Sequence, residues 1–242
     1  MVRNSLISAF ILIAIWQISI WLTQVPSFIL PPPLKVVYSF WDNRSLIGEH
    51  ALITFIEVVL GLAIGVVLGI ATALNLATSH NARAFLRPIL VFSQAFPFFA
   101  LAPLLTLWFG FGLTPKIIMA VIIIYFPVAS AFFDGLMTTP AGYLDLAKSL
   151  RATPAQTLWR IRVPAALPAL GSGLRLGAVY GPIAAIIGEW VGASKGLGYL
   201  MLLANGRVKT DLLFAALLTL ATLTVVFYLL IDWLVRRFIE AR

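Results

Sequence analysis

The sequence of 242 residues contains no cysteine and only two histidines, His50 and His80. Without cysteine the chain has no disulfide framework, no thiolate nucleophile and no cysteine-ligated metal. Two histidines in different predicted loops leave almost no material for a metal site or a histidine base. The sequence also lacks a G-x-x-x-x-G-K-[ST] phosphate loop and a G-x-S-x-G nucleophile run. We therefore expect no metal site and no catalytic site in this chain.

Charge is scarce as well. Only 11% of the residues are charged, 61% are hydrophobic and the mean hydropathy is +1.01, whereas a soluble domain has about 25% charged and about 45–50% apolar residues. Such a chain cannot cover a surface that faces water. The net charge of +8 is too scattered for a nucleic-acid patch, so a soluble enzyme, a nucleic-acid binder and a disordered regulator are excluded. The composition indicates an integral membrane protein.

Long hydrophobic runs occupy most of the sequence. A hydrocarbon core about 30 Å thick requires roughly 20 apolar residues per helix, and this criterion predicts an all-α membrane protein with six transmembrane helices. The predicted spans are about 5–22, 51–77, 85–110, 116–137, 167–191 and 212–235. Prolines inside these spans predict kinks, at Pro97, Pro103, Pro127 and Pro182.

The basic residues predict the orientation of the chain. If the N-terminus is inside, most of the 17 Lys and Arg residues, including Arg3 and Arg242, fall in cytoplasmic segments. Cytoplasmic segments of membrane proteins carry such an excess, so we expect both termini in the cytoplasm. No linker or low-complexity tract divides the chain, which predicts a single transmembrane domain over 1–242 with one long cytoplasmic loop at about 138–166.

This loop has the sequence signature of two short helices. Asp145–Leu150 is good helix-forming sequence, and Thr153-Pro-Ala-Gln156 then begins a second helix, with Pro154 in its first position. Thr153 and Gln156 have the spacing of a capping box. We expect the second helix to end before Pro164. The loop is either a rigid knob on the cytoplasmic face or a hairpin that merely links two spans.

The same loop resembles the EAA loop of ABC importer permeases, whose pattern is Glu-Ala-Ala, three residues, Gly, nine residues and Ile-x-Leu-Pro. Asp145-Leu-Ala147 stands at the first three positions, Arg151 at the glycine, and Ile161-Arg-Val-Pro164 at the end. Four positions depart from the pattern: Asp145, Leu146, Arg151 and Val163. Arg151 is the most consequential of these, because the family glycine lies where the knob turns.

Three further segments extend the resemblance, which covers the chain from about Phe28 onward. Ile29–Pro33, Leu107–Gly112 and Gly188–Tyr199 are similar to permeases of the nitrate/sulfonate/taurine type. The run Leu200–Arg207 looks most like permeases assigned to pyrimidine precursors of thiamine, such as hydroxymethylpyrimidine. Taurine, sulfonate and nitrate permeases are close alternatives.

The resemblance implies the type I importer permease fold and a subunit that catalyses nothing itself. It implies a bacterial inner-membrane location, a cytoplasmic ABC ATPase that binds the ATP, an external solute-binding protein and a second copy of this chain. It implies no cofactor of the chain's own. The residues that it places at the contact with the ATPase are Asp145, Ala147, Ser149, Arg151, Ala152, Thr153, Ile161 and Pro164.

Ionisable and aromatic side chains inside the spans are the candidates for a translocation path or gate. An ionisable group at mid-membrane costs roughly 2.5–3.5 kcal/mol, which draws attention to Glu57, Arg175 and Glu189. Glu57 and Arg175 have either a structural ion pair or a substrate contact. Glu189 stands at a Gly-Glu position of the similar permeases and either has a gating or docking role or has none. Phe98 and Tyr180 are candidates to line a path for a planar solute, or else pack or face lipid.

Two other classes of membrane protein serve as alternatives. An ion-coupled secondary transporter would usually need clustered membrane carboxylates at broken helices, and Glu57 and Glu189 show no such cluster in the sequence. An intramembrane enzyme would need a serine or aspartate mechanism, for which no paired aspartates occur in the spans.

Small residues recur at every fourth position in two of the spans. Residues at this spacing lie on one helix face and allow backbones to approach closely. The rows indicate either packing within the subunit or a dimer or pore face. They consist of Gly61, Gly65, Gly69 and Ala73, and of Gly173, Gly177, Gly181 and Ala185.

Overall fold

The computed structural model describes residues 2–240, with side chains from residue 7 onward. The side chain of Arg3 and the whole of Arg242, both used to predict orientation, lie outside this part. The helices are α1 Val2–Thr23, α2 Pro33–Asp42, α3 Arg44–Thr78, α4 His80–Ser93, α5 Phe98–Phe109, α6 Leu113–Met137, α7 Ala141–Ser149, α8 Pro154–Thr157, α9 Val163–Gly192, α10 Leu197–Gly206 and α11 Thr210–Val235. Two π-helical turns, Leu158–Arg162 and Arg236–Glu240, precede α9 and follow α11.

Each predicted span corresponds to a helix or to a pair of helices. Among the described residues, four helices are long and apolar enough to cross a membrane, and the pair α4–α5 raises that number to five if it forms one span. The helix of the first predicted span, α1, is apolar over Ile7–Thr23 but falls short of the length required of a full span there. The prediction of an all-helical membrane protein is confirmed.

The third predicted span, about 85–110, is not one helix. It consists of α4 and α5, which are bent by 99° relative to each other. Pro97 stands at the N-cap of α5 in an extended conformation. A proline lacks the N–H that would continue α4 and disfavours helical geometry in the preceding residue, so the chain turns here. The helices α5, α6 and α9 continue through Pro103, Pro127 and Pro182.

The core of the protein is formed by α3, α6 and α9. The two rows of small residues face α6 from two sides. A Cβ atom added at Gly69 of α3 would lie 2.9 Å from Val128 Cγ1, and one added at Gly177 of α9 would lie 3.1 Å from Ile124 Cγ2. Contacts this short let the helix backbones approach closely. The rows therefore serve packing within the chain.

The N-terminal end of the helix that contains α9 reaches further than the sequence indicates. The expectation of a helix end before Pro164 is wrong, because α8, the π-helical turn and α9 form one helix of 39 residues from Pro154 to Gly192. The Val163 N–H bonds to the Leu158 carbonyl, five residues back. This π turn shifts the hydrogen-bonding register, so that Pro164 stands in the first turn of α9, where a missing N–H is tolerated.

Candidate functional site

The loop between α6 and α9 is a compact knob built from α7, a turn and α8. The predicted capping box is confirmed: the Gln156 N–H donates to Thr153 Oγ1 at 3.2 Å, and the Thr153 N–H donates to Gln156 Oε1 at 2.9 Å. These two bonds satisfy backbone donors that a helix start would otherwise leave unpaired. The knob is therefore a defined structure and not a loose connection.

The turn of the knob lies at Arg151, the residue that stands in place of the family glycine. Arg151 has a φ of +51°, the left-handed conformation that glycine adopts most easily. The Arg151 N–H bonds to the Lys148 carbonyl and the Ala152 N–H to the Ala147 carbonyl, both at 2.9 Å. This is the Schellman arrangement that ends a helix with a left-handed residue. The turn thus keeps glycine-type geometry in spite of the arginine.

The predicted contact residues divide by burial into an anchor and an outer surface. Ala147 is only 2% exposed and lines a groove of about 560 Å³ with Leu158 and with Ala77 of α3. Ala152 and Ile161 are half-buried, while the remaining predicted contact residues are exposed: Asp145, Ser149, Arg151, Thr153 and Pro164. Ala147 therefore fixes the knob to the membrane helices, and the exposed residues are free to meet a partner.

At the opposite end of the core, Glu57 of α3 forms an ion pair with Lys116 of α6. The carboxylate Oε1 and the ammonium Nζ are 2.7 Å apart, and the two side chains are 0% and 6% exposed. The ammonium also donates to the Lys195 carbonyl at 3.1 Å. The sequence analysis puts Lys116 at the very start of the predicted span 116–137 and does not identify it as a partner of Glu57. Its position one turn inside a 25-residue apolar helix is the signal that could have revealed it.

Glu189 of α9 lies in the same region and holds the segment that follows α9. Its carboxylate accepts from Thr54 Oγ1 at 2.6 Å and from the Gly198 N–H at 2.5 Å. Thr54 Oγ1 in turn accepts from the Leu197 N–H at 2.9 Å. His50, expected in a loop, lies in α3, where its Nδ1 accepts from the Gly196 N–H at 2.9 Å. Three hydrogen bonds to buried side chains thus bind the start of α10 to α3 and α9, and the bond between Thr54 and Glu189 joins α3 to α9.

The expectation that Glu57 and Glu189 form no cluster is wrong. Their carboxylates are close enough to interact with each other and with Lys116. Helices α3 and α9 both pack on α6, which brings acids 132 positions apart in the sequence to one place. We call these residues with His50 and Thr54 the outer cluster. Because isolated buried charges are unfavourable, we expect these residues to stabilise the fold together.

The two aromatic candidates lie together, away from the outer cluster. Phe98 and Tyr180 line one cavity of about 600 Å³ among α5, α6 and α9, which Glu57 and Glu189 do not reach. The polar residues of its wall are Gln94, Ser130, Asp134 and Tyr180, and among its described lining residues there is no Lys or Arg. This wall offers aromatic faces and a carboxylate to a solute, and no positive charge.

The remaining membrane arginine has structural partners, as one of its two interpretations predicted. Arg175 Nε lies 2.7 Å from Asp232 Oδ1, and its Nη1 lies 2.7 Å from Glu240 Oε1. Asp232 also pairs with Arg236 at 2.9 Å. These contacts tie the end of α11 and the π-helical turn that follows it to α9.

Comparison with known proteins gives concordant matches. Residues 65–240 match the family described as binding-protein-dependent transport system inner membrane component. The chain is 49% identical over 229 residues to a probable ABC transporter permease protein of Haemophilus influenzae, covering 95% of this chain and 94% of that protein. It is 36% identical over 189 residues to the formylaminopyrimidine transport permease protein ThiX of Halalkalibacterium halodurans, covering 78% and 75%.

The fold also matches solved structures. Superposition on an inward-facing structure of the MetNI methionine ABC transporter gives a TM-score of 0.64 at 21% identity, covering 82% of this chain and 96% of the other. At this identity the match speaks for the fold alone, and it confirms the predicted type I permease fold.

Proposed function

The chain belongs to the family of binding-protein-dependent transport inner membrane components and is an ABC importer permease, and from this we propose that it works as the translocating subunit of an ATP-driven importer. A separate cytoplasmic ATPase binds the ATP, an external binding protein delivers the solute, and a second copy of the chain completes the path. The chain itself catalyses nothing and carries no cofactor. It lies in the bacterial inner membrane with both termini in the cytoplasm.

The observation that carries this proposal is the structure of the knob. It is capped, it turns through a defined Schellman motif, and it continues without a break into the helix Pro154–Gly192. A rigid element passes a displacement on to the membrane helix, whereas a flexible loop would absorb it. Coupling to an ATPase requires a rigid element that passes the displacement on.

The coupling is tested by a bulky charge at the anchor of the knob. The side chain of Ala147 is buried against α3 and the π turn, so Ala147→Arg should displace the knob and abolish ATP-dependent uptake in proteoliposomes that contain the ATPase and the binding protein. Membrane insertion should persist. The exposed Ala141 at the start of the same helix gives the control variant Ala141→Glu, which should transport normally.

The same assay separates this function from ion-coupled transport, the alternative that the buried acids Glu57 and Glu189 bring forward. Uptake by the complete importer should stop without ATP and continue when ionophores collapse the proton and sodium gradients. Uptake driven by either gradient in the absence of the ATPase would refute the ABC mechanism for this chain.

For the solute we propose a neutral or cationic planar heterocycle of the thiamine-precursor pyrimidine type. The wall of the cavity supports this choice, since Phe98 and Tyr180 can stack on a ring and Asp134 can accept from a ring amino group, while no lining Lys or Arg would attract an anion. The 36% identity to the formylaminopyrimidine permease points to the same class. Aliphatic sulfonates and nitrate are anions and taurine is a zwitterion that carries a sulfonate, so each would bring a negative group to a wall whose described lining has no Lys or Arg.

Uptake of radiolabelled hydroxymethylpyrimidine tests the assignment. A hydrogen bond to a charged group is worth about 1.5–3 kcal/mol, so Asp134→Asn should lower uptake by roughly tenfold or more. Asp42, which is exposed at the end of α2, provides the control Asp42→Asn, expected to be silent. If taurine stimulates the ATPase of the complete importer and the pyrimidine does not, the assignment is wrong.

A further inference from the structure

Arg151 combines an unfavourable backbone conformation with an unused side chain. Its φ of +51° lies in the left-handed region, which is uncommon for a residue with a Cβ atom. The side chain is exposed. Within the described residues its guanidinium forms no hydrogen bond, ion pair or ring contact, and the bonds of the turn come from the backbone alone. Nothing inside the chain therefore explains an arginine where glycine would serve the fold better.

The surface around Arg151 has a distinct chemical character. Lys148 of the knob and Arg160 and Arg162 of the π-helical turn that follows it are basic, while the only acidic residue over 138–166 is Asp145, which pairs with Lys148 at 3.0 Å. Large apolar side chains are exposed beside these charges, at Leu146, Leu150 and Trp159. Such a surface is complementary to a partner groove that offers carboxylates around an apolar floor.

From the exposed guanidinium in a left-handed turn of a basic knob, we propose that Arg151 is a docking residue that pairs with a carboxylate of the ATPase subunit. The inference rests on the proposed function, because it needs that partner. The planar guanidinium can bind a carboxylate through two parallel hydrogen bonds. Strained residues persist where the strain serves a function, and here the function is to present the guanidinium at the tip of the turn.

The chain contains a matched control for the backbone strain. Val208, after α10, has a φ of +56° and ends its helix by the same pair of bonds, from the Val208 N–H to the Asn205 carbonyl and from the Lys209 N–H to the Ala204 carbonyl. Val208 lies on the predicted outer side and carries no charge. Val208→Gly relieves the same strain as Arg151→Gly without removing a contact to the ATPase.

The test measures the affinity of the purified permease for its ATPase at low and high salt. Arg151→Gly should weaken binding about tenfold at low salt and should flatten its salt dependence, since exposed charge pairs are screened by salt. Arg151→Asn, which also tolerates the left-handed turn, should weaken binding and flatten its salt dependence in the same way. Arg151→Lys should retain part of the affinity, and Arg151→Glu should bind the ATPase most weakly. Val208→Gly should bind like the wild type.

Thermal unfolding separates a docking defect from a folding defect, because both glycine variants should be at least as stable as the wild type. If Arg151→Gly and Arg151→Asn bind the ATPase as tightly as the wild type, with the same salt dependence, the inference is overturned while the proposed function stands. If the wild-type permease itself neither binds an ATPase nor imports with ATP, the proposed function fails and the inference fails with it.

Discussion

Replacing Lys116 with methionine tests whether the outer cluster is a single electrostatic unit. The change removes the ammonium that lies 2.7 Å from Glu57 and 3.1 Å from the Lys195 carbonyl. Methionine keeps most of the volume, so the helix contact at Gly188, where a Cβ would lie 3.2 Å from Lys116 Cα, is little disturbed. The main effect is a carboxylate left without its counter-charge in the protein interior.

The size of the effect follows from the burial of the pair. With side chains 0% and 6% exposed, solvent screening is small, and removal of one partner from such a pair costs about 3–5 kcal/mol. The second carboxylate, Glu189, adds to the repulsion. Replacing both partners by apolar residues is often neutral, so Glu57→Leu combined with Lys116→Met should recover most of the loss.

Denaturant unfolding in detergent micelles, with the two single variants and the double variant, gives the coupling energy of the pair. Lys195→Met is the matched control, since Lys195 enters the network through its backbone carbonyl and its side chain is exposed. We expect the control to change the free energy of unfolding by less than about 0.5 kcal/mol. A similarly small change in Lys116→Met, or strict additivity in the double variant, would refute the proposed unit.

Two further predictions concern packing and capping. Gly69→Ala should destabilise the protein by about 1–3 kcal/mol through overpacking, because its Cβ would lie 2.9 Å from Val128 Cγ1. Gly48→Ala is the control and should not destabilise the protein, since no atom lies within 4 Å of the new Cβ. Equal unfolding transitions of the two variants would contradict the packing argument. Thr153→Ala should weaken α8 by about 1 kcal/mol and speed hydrogen exchange at the Gln156 amide, and unchanged exchange there would contradict the role of the cap.

Local chemistry made part of the structure predictable. The capping box depends on residues three positions apart, and its geometry follows from any helix start with that pattern. The rows of glycines indicate close helix packing by their spacing alone, although the identity of the opposing helix, α6, becomes visible only in the structure. Predictions of this kind succeed because their causes lie within one or two turns of a single helix.

The outer cluster escaped prediction because its causes lie far apart in the chain. Glu57 and Lys116 are separated by 59 positions, and Thr54 and Glu189 by 135. Hydropathy indicates how readily each residue type is buried, but it carries no information on which residues contact one another in the fold. A lysine next to a predicted helix end, such as Lys116, is usually interpreted as a residue at the membrane surface. Only the packing of α3 and α9 on α6 shows that it is the counter-charge of the buried Glu57.

The error at Pro164 has the largest consequence for mechanism. A helix end there would separate the knob from the membrane by a joint, whereas the structure has one helix from Pro154 to Gly192. At 1.5 Å per residue its 39 residues extend about 58 Å, compared with about 30 Å for the hydrocarbon core. The helix begins inside the knob and ends three residues beyond Glu189.

If the helix Pro154–Gly192 tilts as one straight body about its end in the knob, it acts as a lever between the two sites. A tilt of 5° applied at the knob would move the far end by about 5 Å over a length of about 58 Å. The hydrogen bonds that the Glu189 carboxylate accepts from Thr54 Oγ1 and from the Gly198 N–H cannot follow so large a displacement. The outer cluster must therefore either move with α9 as a body or break when the knob is displaced. Its contacts to α3 and α6 through Thr54 and Lys116 resist such a motion, so we expect a displacement of the knob to strain the outer cluster.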